Sequence, residues 1–481
     1  MERGRDMRNR FYLLLLLISG AVLFVYTVFA AYREMSPEWK SYQAEYKELL
    51  IKNAKDSATK KKAGSLTHEI QQIYLGALNR VDRCTSCHIG IENPLMAGAK
   101  VPFRQHSGDY LKNHSVEKFG CTICHYGQGR ATNKREAHAV GHEVHWDYPI
   151  IPLEYIQSSC ASCHDLDMLK GKGGANIVKG EQLFREKGCK GCHKLDGVGG
   201  VLGKALDGVG SQPVAYFPMT SPDAMRSVQG EKTIYTWMKQ HFDDPRNIVA
   251  GSEMKSDFTD EETDYLTTYV LSLRSEEIPK KYRRINTGVK ASATDDGESL
   301  YKMYCIACHT TGKDSIYDEV FKRTIPAIMN QAFLKAASND YLKKVISEGR
   351  AGTQMTAWKS AAAGLDDREI ERIVAYLTED RPKDKPGPFG FAKFKGNVTH
   401  GEELYRIRCV SCHGEKGQGG VGLNLRNPAV QKDADPDFLA VTIRDGRAGT
   451  HMAAFGPRGV GLSSQDIADV VSYVKTLSSK K

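Results

Sequence analysis

The chain has 481 residues, 41% of them hydrophobic, and a formal net charge of +9. A chain of this length is too long for one small domain and suggests three or four. Only one segment is apolar over a membrane-spanning length, which excludes a protein with several membrane spans, and the basic balance would suit anionic lipid or an acidic partner.

The N-terminal segment has the composition of a membrane anchor. Residues 1–10 contain four Arg and two acidic residues, and residues 11–32 carry no charge. At about 1.5 Å per residue, a helix over residues 11–32 is roughly 33 Å long, enough to cross a bilayer. A cleaved signal peptide is the alternative, with a weak cleavage site at residues 28–30, but its apolar core would exceed the usual ~7–15 residues. The Arg cluster predicts a cytoplasmic N-terminus, with residues 33–481 on the periplasmic side of the cytoplasmic membrane.

The sequence predicts a cytoplasmic tail and transmembrane helix over residues 1–32, followed by a helical stalk over residues 33–79. The stretch 36–62 is mostly polar and carries Trp39, Tyr46 and Leu50 among its charged residues. We expect it to form a polar helix that carries the following region away from the membrane.

The sequence Cys-x-x-Cys-His occurs six times and accounts for all 12 cysteines. A disulfide framework would not place a His after every second Cys, and a zinc site leaves that position unconstrained. A thioredoxin-like redox motif occurs once, near a βαβ pattern. The six motifs therefore predict c-type haem attachment, which also requires an extracytoplasmic compartment.

The spacing follows from the chemistry of attachment. The two thiols add to the two vinyl groups of one porphyrin edge, and the next residue places its imidazole beneath the iron. The attachment cysteines are Cys84 and Cys87, Cys121 and Cys124, Cys160 and Cys163, Cys189 and Cys192, Cys305 and Cys308, and Cys409 and Cys412. The proximal ligands are His88, His125, His164, His193, His309 and His413. Six haems with ionised propionates would bring the charge to roughly +3 or −3, so the charge does not identify a partner.

The first three motifs lie close together, in a region that we call the head (residues 80–175). They are separated by only about 37 and 39 residues, which predicts haems packed against one another with little protein core. Methionine is scarce here, so the sixth iron ligands are expected to be histidines. The candidates outside the motifs are His68, His106, His114, His138, His142 and His145. We favour His106, His114 and His138, and about half of the six should be bystanders.

The last three motifs share a longer pattern. Each follows the sequence Gly-Glu-x-Leu-aromatic, and each is followed by an apolar stripe with helical spacing that ends the unit. Residues 259–262 resemble a capping box at the start of the first of these closing helices. Charged linkers rich in Pro or Gly separate the units. The predicted units are residues 178–275, 295–379 and 397–478, called here the first, second and third units.

This pattern resembles class I cytochrome c, three times in tandem. In that family the sixth ligand is a Met from a loop before the closing helix. The loops GRAGTQM and GRAGTHM end at Met355 and Met452 and differ only at Gln354 and His451, so Met is favoured over His451. In the first unit the looser sequence AGSEM ends at Met254. The alternative for each is a methionine that only fills the core.

The first part of the chain resembles the membrane-anchored multihaem cytochromes that accompany bacterial bc-type quinol-oxidising complexes. The resemblance spans about residues 10–170 and rests on EWKSYQ, VDRCTSCHIGIENP, PFRQHSGDYLKNHSVEKFGCTICHYGQGRAT and AHA. It implies a periplasmic electron-transfer subunit with cytochrome b, Rieske-type or other quinol-oxidising partners. His114 and His138 lie inside the matching stretches.

We therefore expect a mainly α-helical, loop-rich protein with an anchor, a trihaem head and three cytochrome c units, carrying six covalently bound haem c groups. The predicted function is electron transfer, not catalysis, towards a soluble cytochrome or other redox acceptor, with no nucleic-acid partner. Since Met/His ligation raises the potential over bis-His, electrons should enter at the head and leave through units that swing on their linkers. A multihaem reductase with one open iron and a haem-based sensor are the alternatives.

Overall fold

The structure is a computed structural model that describes residues 2–35, 37–139, 148–212, 226–276, 278–279, 281–282, 296–359, 363–384 and 386–477. It is mainly helical, with 52% helix and 4% strand, as predicted. His142 and His145 lie outside the described residues. The helices are α1 (Glu2–Met35), α2 (Glu38–Asn53), α3 (Ser57–Gly64), α4 (Tyr110–Asn113), α5 (Val116–Phe119), α6 (Thr122–His125), α7 (Lys134–His138), α8 (Leu166–Leu169), α9 (Ala175–Glu186), α10 (Ile234–Asp243), α11 (Pro245–Ile248), α12 (Asp260–Ser272), α13 (Gly297–Tyr304), α14 (Ile306–His309), α15 (Gln331–Ala336), α16 (Asn339–Glu348), α17 (Asp367–Leu377), α18 (Val398–Arg408), α19 (Val410–His413), α20 (Pro428–Asp433), α21 (Pro436–Asp445) and α22 (Ser464–Thr476).

Among the described residues, the strands form three antiparallel two-stranded pairs. They are β1 (Ile73–Leu75) with β2 (Arg80–Asp82), β3 (Lys194–Leu195) with β4 (Val198–Gly199), and β5 (Ile316–Asp318) with β6 (Arg323–Ile325). Each pair lies within about seven residues of a Cys-x-x-Cys-His motif along the chain.

Helix α1 contains the predicted apolar segment. The stretch Asn9–Tyr32 is exposed along its length, and it is the one helix in the described part of the chain that is long and apolar enough to cross a membrane. The predicted apolar helix over residues 11–32 is therefore present.

The residues expected to form the stalk pack onto the head instead of extending away from it. The buried face of α2 comprises Trp39, Gln43, Tyr46 and Leu50. The Gln43 amide donates to the Ser86 carbonyl at 3.0 Å, which lies inside the first haem motif. The stalk helix thus forms one wall of the head.

Each tandem unit is built on a crossing of its opening and closing helices: α9 with α12, α13 with α17, and α18 with α22. The glycine of each Gly-Glu-x-Leu-aromatic sequence lies at this crossing. A Cβ on Gly180, Gly297 or Gly401 would lie 2.0, 2.2 or 2.0 Å from a carbonyl oxygen of the closing helix. The repeated glycine is therefore required by the close approach of two helix backbones. The capping box predicted at Thr259 and Glu262 is present at the start of α12.

The head and the first unit share one apolar core. Tyr155 and Leu169 of the head belong to the same buried cluster as Leu183 and Leu266 of the first unit. The Tyr155 hydroxyl also donates to the Asp264 carboxylate of α12 at 3.0 Å. The two regions are thus not separated by a linker.

The tandem units also contact one another, whereas the sequence predicted units that swing on their linkers. Lys255 of the first unit forms an ion pair with Asp318 of the second at 2.6 Å. Lys344 of the second unit forms one with the almost fully buried Asp433 of the third at 2.9 Å. These contacts hold the units against each other, because side chains outside the linkers bridge them.

Candidate haem sites

The six Cys-x-x-Cys-His motifs have the same backbone geometry. In each, the amide of the His donates to the carbonyl of the first Cys, at 2.9 or 3.0 Å. The His therefore lies one helical turn after that Cys, which brings both sulfurs and the imidazole to one side of the turn. None of the 12 cysteines forms a disulfide.

The motif histidines of the tandem units are oriented by backbone carbonyls. The Nδ1 atoms of His193 and His413 hydrogen-bond the carbonyls of Lys204 and Leu423 at 2.8 and 2.9 Å. The Nδ1 of His309 lies 3.4 Å from the Pro326 carbonyl. A Nδ1–H bond of this kind fixes the tautomer and leaves Nε2 unprotonated for a metal.

Burial keeps these imidazoles neutral. It lowers the pKa of His309 to about 4 and also lowers the pKa of His193 and His413. In the head, burial followed by the nearby His138 and His125 lowers the pKa of His88 to about 4. A neutral imidazole is the form that binds a metal, so these sites suit iron ligation.

The three favoured head histidines each face a different motif histidine. The ring centroids are 6.2 Å apart for His88 and His138, 6.2 Å for His125 and His106, and 6.0 Å for His164 and His114. An imidazole nitrogen binds a metal at about 2.0–2.1 Å and lies roughly 1.1 Å from its ring centroid, so two imidazoles on opposite faces of one iron have centroids about 6 Å apart. The spacing of all three pairs therefore fits one iron between two imidazoles.

Two of the facing histidines are also oriented by the backbone. The Nδ1 atoms of His106 and His114 lie 2.8 and 3.1 Å from the carbonyls of Ser107 and Tyr110. His68 is exposed, and no ring contact to it occurs among the described residues. It therefore has the surroundings of a bystander.

The methionine loops of the second and third units have the same hydrogen bonds. The Met355 amide donates to the Thr353 hydroxyl oxygen at 3.1 Å, and the Met355 carbonyl accepts from the Arg350 amide at 2.9 Å. The corresponding distances at Met452 are 3.1 and 2.8 Å. Both methionines are partly buried. Two different stretches of chain thus adopt the same loop conformation, and each ends at a methionine.

The first unit contains a shorter version of this loop and a histidine that the sequence did not single out. The Met254 amide donates to the Ser252 hydroxyl at 3.2 Å, as in the other two loops. His241 on α10 stacks on Trp237 with ring centroids 4.7 Å apart, and its buried Nδ1 has no hydrogen-bond partner among the described residues. Burial, and then the nearby His193, lowers the pKa of His241 to about 4.

His241 is thus a second candidate for the sixth position of this unit. The spacing of Trp237 and His241, four residues apart on a helix, was the signal that could have identified it.

Neighbouring motifs touch each other. The Cys84 thiol lies close enough to Cys121 to raise the pKa of that thiol, and Cys308 raises the pKa of Cys192 in the same way. Cys124 lies within electrostatic reach of Cys160. Attachment edges of successive haems would therefore adjoin within the head and again between the first and second units.

Asp82 holds the first and second motifs of the head together. It is fully buried at the end of β2, two residues before Cys84. Its carboxylate accepts from the amides of Cys121 and Thr122 at 2.6 and 3.0 Å and from the Thr122 hydroxyl at 2.5 Å. One side chain thus fixes the start of the second motif relative to the first.

Two family models match the tandem units. The model for cytochrome c oxidase, cbb3-type, subunit III matches residues 292–377 and 396–474, and the model for cytochrome c matches residues 177–274. Domains of these families carry covalently bound haem c, which agrees with the geometry of the motifs.

Curated relatives support the same assignment. The chain is 26% identical to the cbb3-type cytochrome c oxidase subunit FixP of Azorhizobium caulinodans over 202 residues, 40% of this chain and 62% of the relative. It is 23% identical to the cytochrome bc1 complex cytochrome c subunit of Corynebacterium diphtheriae over 200 residues, 38% and 65% of the two chains. It thus spans less than two thirds of the length of these relatives.

A shorter relative is matched almost completely. Cytochrome c-554(547) of Halothiobacillus neapolitanus is 30% identical over 89 residues, which is 17% of this chain and 98% of the relative. The six attachment motifs, the oriented imidazoles and these matches lead to one conclusion: the chain belongs to the cytochrome c family.

Proposed function

We propose that this chain is a membrane-anchored electron-transfer cytochrome with six covalently attached haems, and that it passes electrons between them on the periplasmic side of the membrane. The observation that carries the proposal is that the head contains three pairs of facing histidines, with ring centroids 6.0–6.2 Å apart in each pair. Each of the three tandem units in addition presents a methionine loop. Enough side chains are present to give every iron two axial ligands.

The proposed ligand sets differ between the two regions. In the head, His138, His106 and His114 complete the irons of His88, His125 and His164. In the tandem units, Met254, Met355 and Met452 complete those of His193, His309 and His413. A thioether donates less strongly to ferric iron than an imidazole, so the tandem haems have the higher potentials. Electrons therefore enter at the head and move towards the third unit.

The contacts between motifs support transfer along the chain. The proximity of Cys84 to Cys121 and of Cys192 to Cys308, which raises the pKa of Cys121 and of Cys192, would bring the edges of successive haems together. Covalent attachment keeps each haem at its place in the sequence of transfers even where it is close to solvent. Because the units pack against one another, transfer proceeds through fixed contacts between neighbouring haems.

The proposed setting is a quinol-linked respiratory complex of the bc type. The Arg-rich N-terminus and the apolar part of α1 support an uncleaved anchor with its N-terminus in the cytoplasm. The relatives that are named as subunits of a cbb3-type oxidase and of a bc1 complex support a membrane complex as partner. Cytochrome b and Rieske-type subunits are the proposed donors, and a soluble cytochrome or other redox protein is the proposed acceptor. Purification from native membranes in mild detergent tests this setting, because the chain should then co-purify with a cytochrome b.

The ligand assignment is tested on the purified full chain by haem counting, near-infrared spectroscopy and redox titration. Pyridine haemochrome should give about six haems per chain. Met355→His should remove about one third of the near-infrared band of Met-ligated ferric haem and lower one potential by about 0.1 V or more, within the roughly 0.8 V that axial ligands span. Met303→Leu, which replaces a buried methionine of the same unit, is the control and should change neither the near-infrared band nor the potential.

The reciprocal variant tests the head. His138→Met should raise the potential of one low-potential haem and add to the near-infrared band. Four or fewer haems, an unchanged band in Met355→His, or a high-spin ferric signal in the resting protein would contradict the proposal. The last result would favour a reductase with an open iron.

The first unit needs its own pair of variants because it contains two candidates. If Met254 is the ligand, Met254→Ala should remove about a third of the near-infrared band and His241→Ala should leave it unchanged. If His241 is the ligand, Met254→Ala should leave the band unchanged, and the band of the wild-type protein should correspond to two haems instead of three.

A further inference from the structure

Two buried asparagines reach across the contact between the second and third units. We propose that Asn427 of the third unit positions the Met355 loop of the second unit, and that Asn330 of the second unit positions the Met452 loop of the third. The methionine ligand of each haem is then held in place by the neighbouring unit. This inference rests on the proposed ligation by Met355 and Met452.

The two side chains make the same pair of bonds. The Asn427 Oδ1 accepts from the Ala429 amide at 2.9 Å and so caps α20, while its Nδ2 donates to the Ala351 carbonyl at 2.7 Å. The Asn330 Oδ1 accepts from the Phe333 amide at 3.2 Å and caps α15, while its Nδ2 donates to the Ala448 carbonyl at 2.7 Å. Each asparagine thus uses one end of its amide within its own unit and the other end across the contact.

Both asparagines are buried, and the carbonyls that they reach belong to exposed loop positions. Asn427 is 6% exposed and Asn330 is 7% exposed. Ala351 and Ala448 occupy the same position in the two GRAGTxM sequences, four residues before the methionine, and both are exposed. The cross-unit bond therefore fixes a part of each loop that its own core does not cover.

The bond reaches the methionine through a short, closed loop. The Arg350 amide donates to the Met355 carbonyl at 2.9 Å, and the Arg447 amide donates to the Met452 carbonyl at 2.8 Å. Since these bonds close the loops directly around Ala351 and Ala448, a displacement of either alanine carbonyl also displaces the methionine backbone. A thioether is a weak ligand to ferric iron, so a small displacement is enough to change ligation.

Other side chains hold this contact in the same reciprocal manner. Lys344 of α16 pairs with Asp433 of α20 at 2.9 Å, and Lys432 of α20 pairs with Glu348 of α16 at 2.8 Å. The Arg447 guanidinium of the third unit lies 4.7 Å from the ring centroid of Phe333 in the second. These bonds fix the two units face to face, which gives each asparagine a fixed distance to the opposite loop.

The test uses the full haem-loaded chain with Asn427→Asp. The variant keeps the oxygen that caps α20 but replaces the donor with an oxygen that faces the Ala351 carbonyl. We expect a loss of up to about one third of the near-infrared band and a change in the potential of the second unit's haem. Asn397→Asp is the matched control, since Asn397 caps α18 of the same third unit by accepting from the Thr399 amide at 3.1 Å. It should leave the band unchanged.

A double variant assigns the effect to the opposite unit. In a chain that already carries Met355→His, Asn427→Asp should cause no further loss of the band. A further loss would mean that Asn427 acts on Met452 in its own unit, which would overturn the inference. Asn330→Asp combined with Met452→His gives the reciprocal test.

The two levels of the proposal fail in different ways. If Met355→His leaves the band unchanged, the ligand assignment is wrong. If Met355→His removes about a third but Asn427→Asp removes none, only the cross-unit positioning is wrong. Should Asn427→Asp not accumulate with its full haem content, Asn427→Ser replaces it, because a serine caps a helix but is too short to reach Ala351.

Discussion

The head and the third unit carry the same attachment motif but are stabilised differently. In the head, α4 to α7 are four or five residues long, and the apolar cluster beside them consists of Tyr46, Leu50, Ala63, Met96 and Phe103. In the third unit, α18 and α22 contain 11 and 13 residues and cross at Gly401. The head therefore has little regular structure around its proposed haem sites and shares its apolar core with the first unit, whereas the third unit is organised by the packing of two long helices.

In the proposed ligand sets, the difference also determines how the sixth ligand would reach the iron. The facing histidines of the head come from loops and short helices, because so little regular structure surrounds the motifs. In the second and third units a closed loop after a ten-residue helix presents the methionine. A repeated unit can keep one loop geometry, whereas each proposed iron site of the head takes its facing histidine from a different place in the sequence.

Truncation tests whether the head can fold without the first unit, and it should have the largest effect on accumulation of the protein. Tyr155 and Leu169 of the head pack in an apolar core that is shared with the first unit. A chain ending at residue 175 lacks the residues that the first unit contributes to this core, so it should fail to accumulate. A chain ending at residue 282 keeps that core, and it also keeps the contact of Tyr282 with Phe119 at 5.7 Å. It should mature with about four haems, as measured by pyridine haemochrome and gel filtration.

A stable product of residues 1–175 with three haems would contradict this. It would mean that the shared cluster contributes little to the head and that the two regions are separate domains.

Removal of the buried carboxylate in the head should have the next largest effect. Asp82→Ala leaves three buried donors on Cys121 and Thr122 without an acceptor, at roughly 1–3 kcal/mol for each unpaired group. We expect a loss of several kcal/mol in the free energy of unfolding of the head and a lower haem content. Asp82→Asn keeps the shape and one acceptor and should lose less. Unchanged protease resistance of the head in Asp82→Ala would show that the haems alone hold it together.

Local features of this fold could be predicted from the sequence. The capping box at Thr259, the closing helices and the one-turn geometry of each motif depend on residues a few positions apart. They could therefore be predicted from the local sequence pattern. The choice of His106, His114 and His138 came from the scarcity of methionine and from the resemblance of the surrounding sequence.

The remaining features depend on contacts between distant residues. Nothing in the spacing indicated that His106 would face His125, or that His138 would face His88. The packing of the units was also unpredictable, since it rests on single polar residues such as Asn330 and Lys255. Charged linkers resemble flexible ones in composition, although the units beside them are fixed by contacts elsewhere.

The helix crossings of the tandem units give a smaller and more local test. In Gly401→Ala, the added Cβ would lie 2.0 Å from the Asp469 carbonyl oxygen, so α18 and α22 must separate. Overpacking of this kind costs about 1–3 kcal/mol, which lowers Tm by roughly 4–8 °C per kcal/mol in a unit of this size. Gly387→Ala is the control, because no heavy atom lies within 4 Å of the added Cβ. Equal Tm values for the two variants would show that the crossing is not tightly packed.

The smallest effect concerns an ion pair between the same two helices. His400 on α18 and Asp469 on α22 lie 2.8 Å apart, and the hydrogen bond to Asp469 raises the pKa of His400 above its usual 6.5. Burial of Asp469 acts to raise the pKa of its carboxyl, but its hydrogen bonds to His400 and the Asn397 amide outweigh this and lower it.

The pH dependence follows from the sign of these shifts. Because the pKa of His400 is raised by folding, its contribution to stability is fully present below pH 6.5 and is lost as the pH rises through the pKa of the folded state. Tm of the wild-type protein should therefore exceed that of His400→Gln at pH 5.5 by on the order of 1 °C, and the difference should vanish by about pH 8.5. The effect is small because the pair is partly exposed, and because Asp469 keeps its bond to the Asn397 amide at 2.8 Å. The comparison with His400→Gln cancels the titration of the haem propionates, which both proteins share. A difference in Tm that is the same at both pH values would mean that His400 contributes by packing and not by its charge.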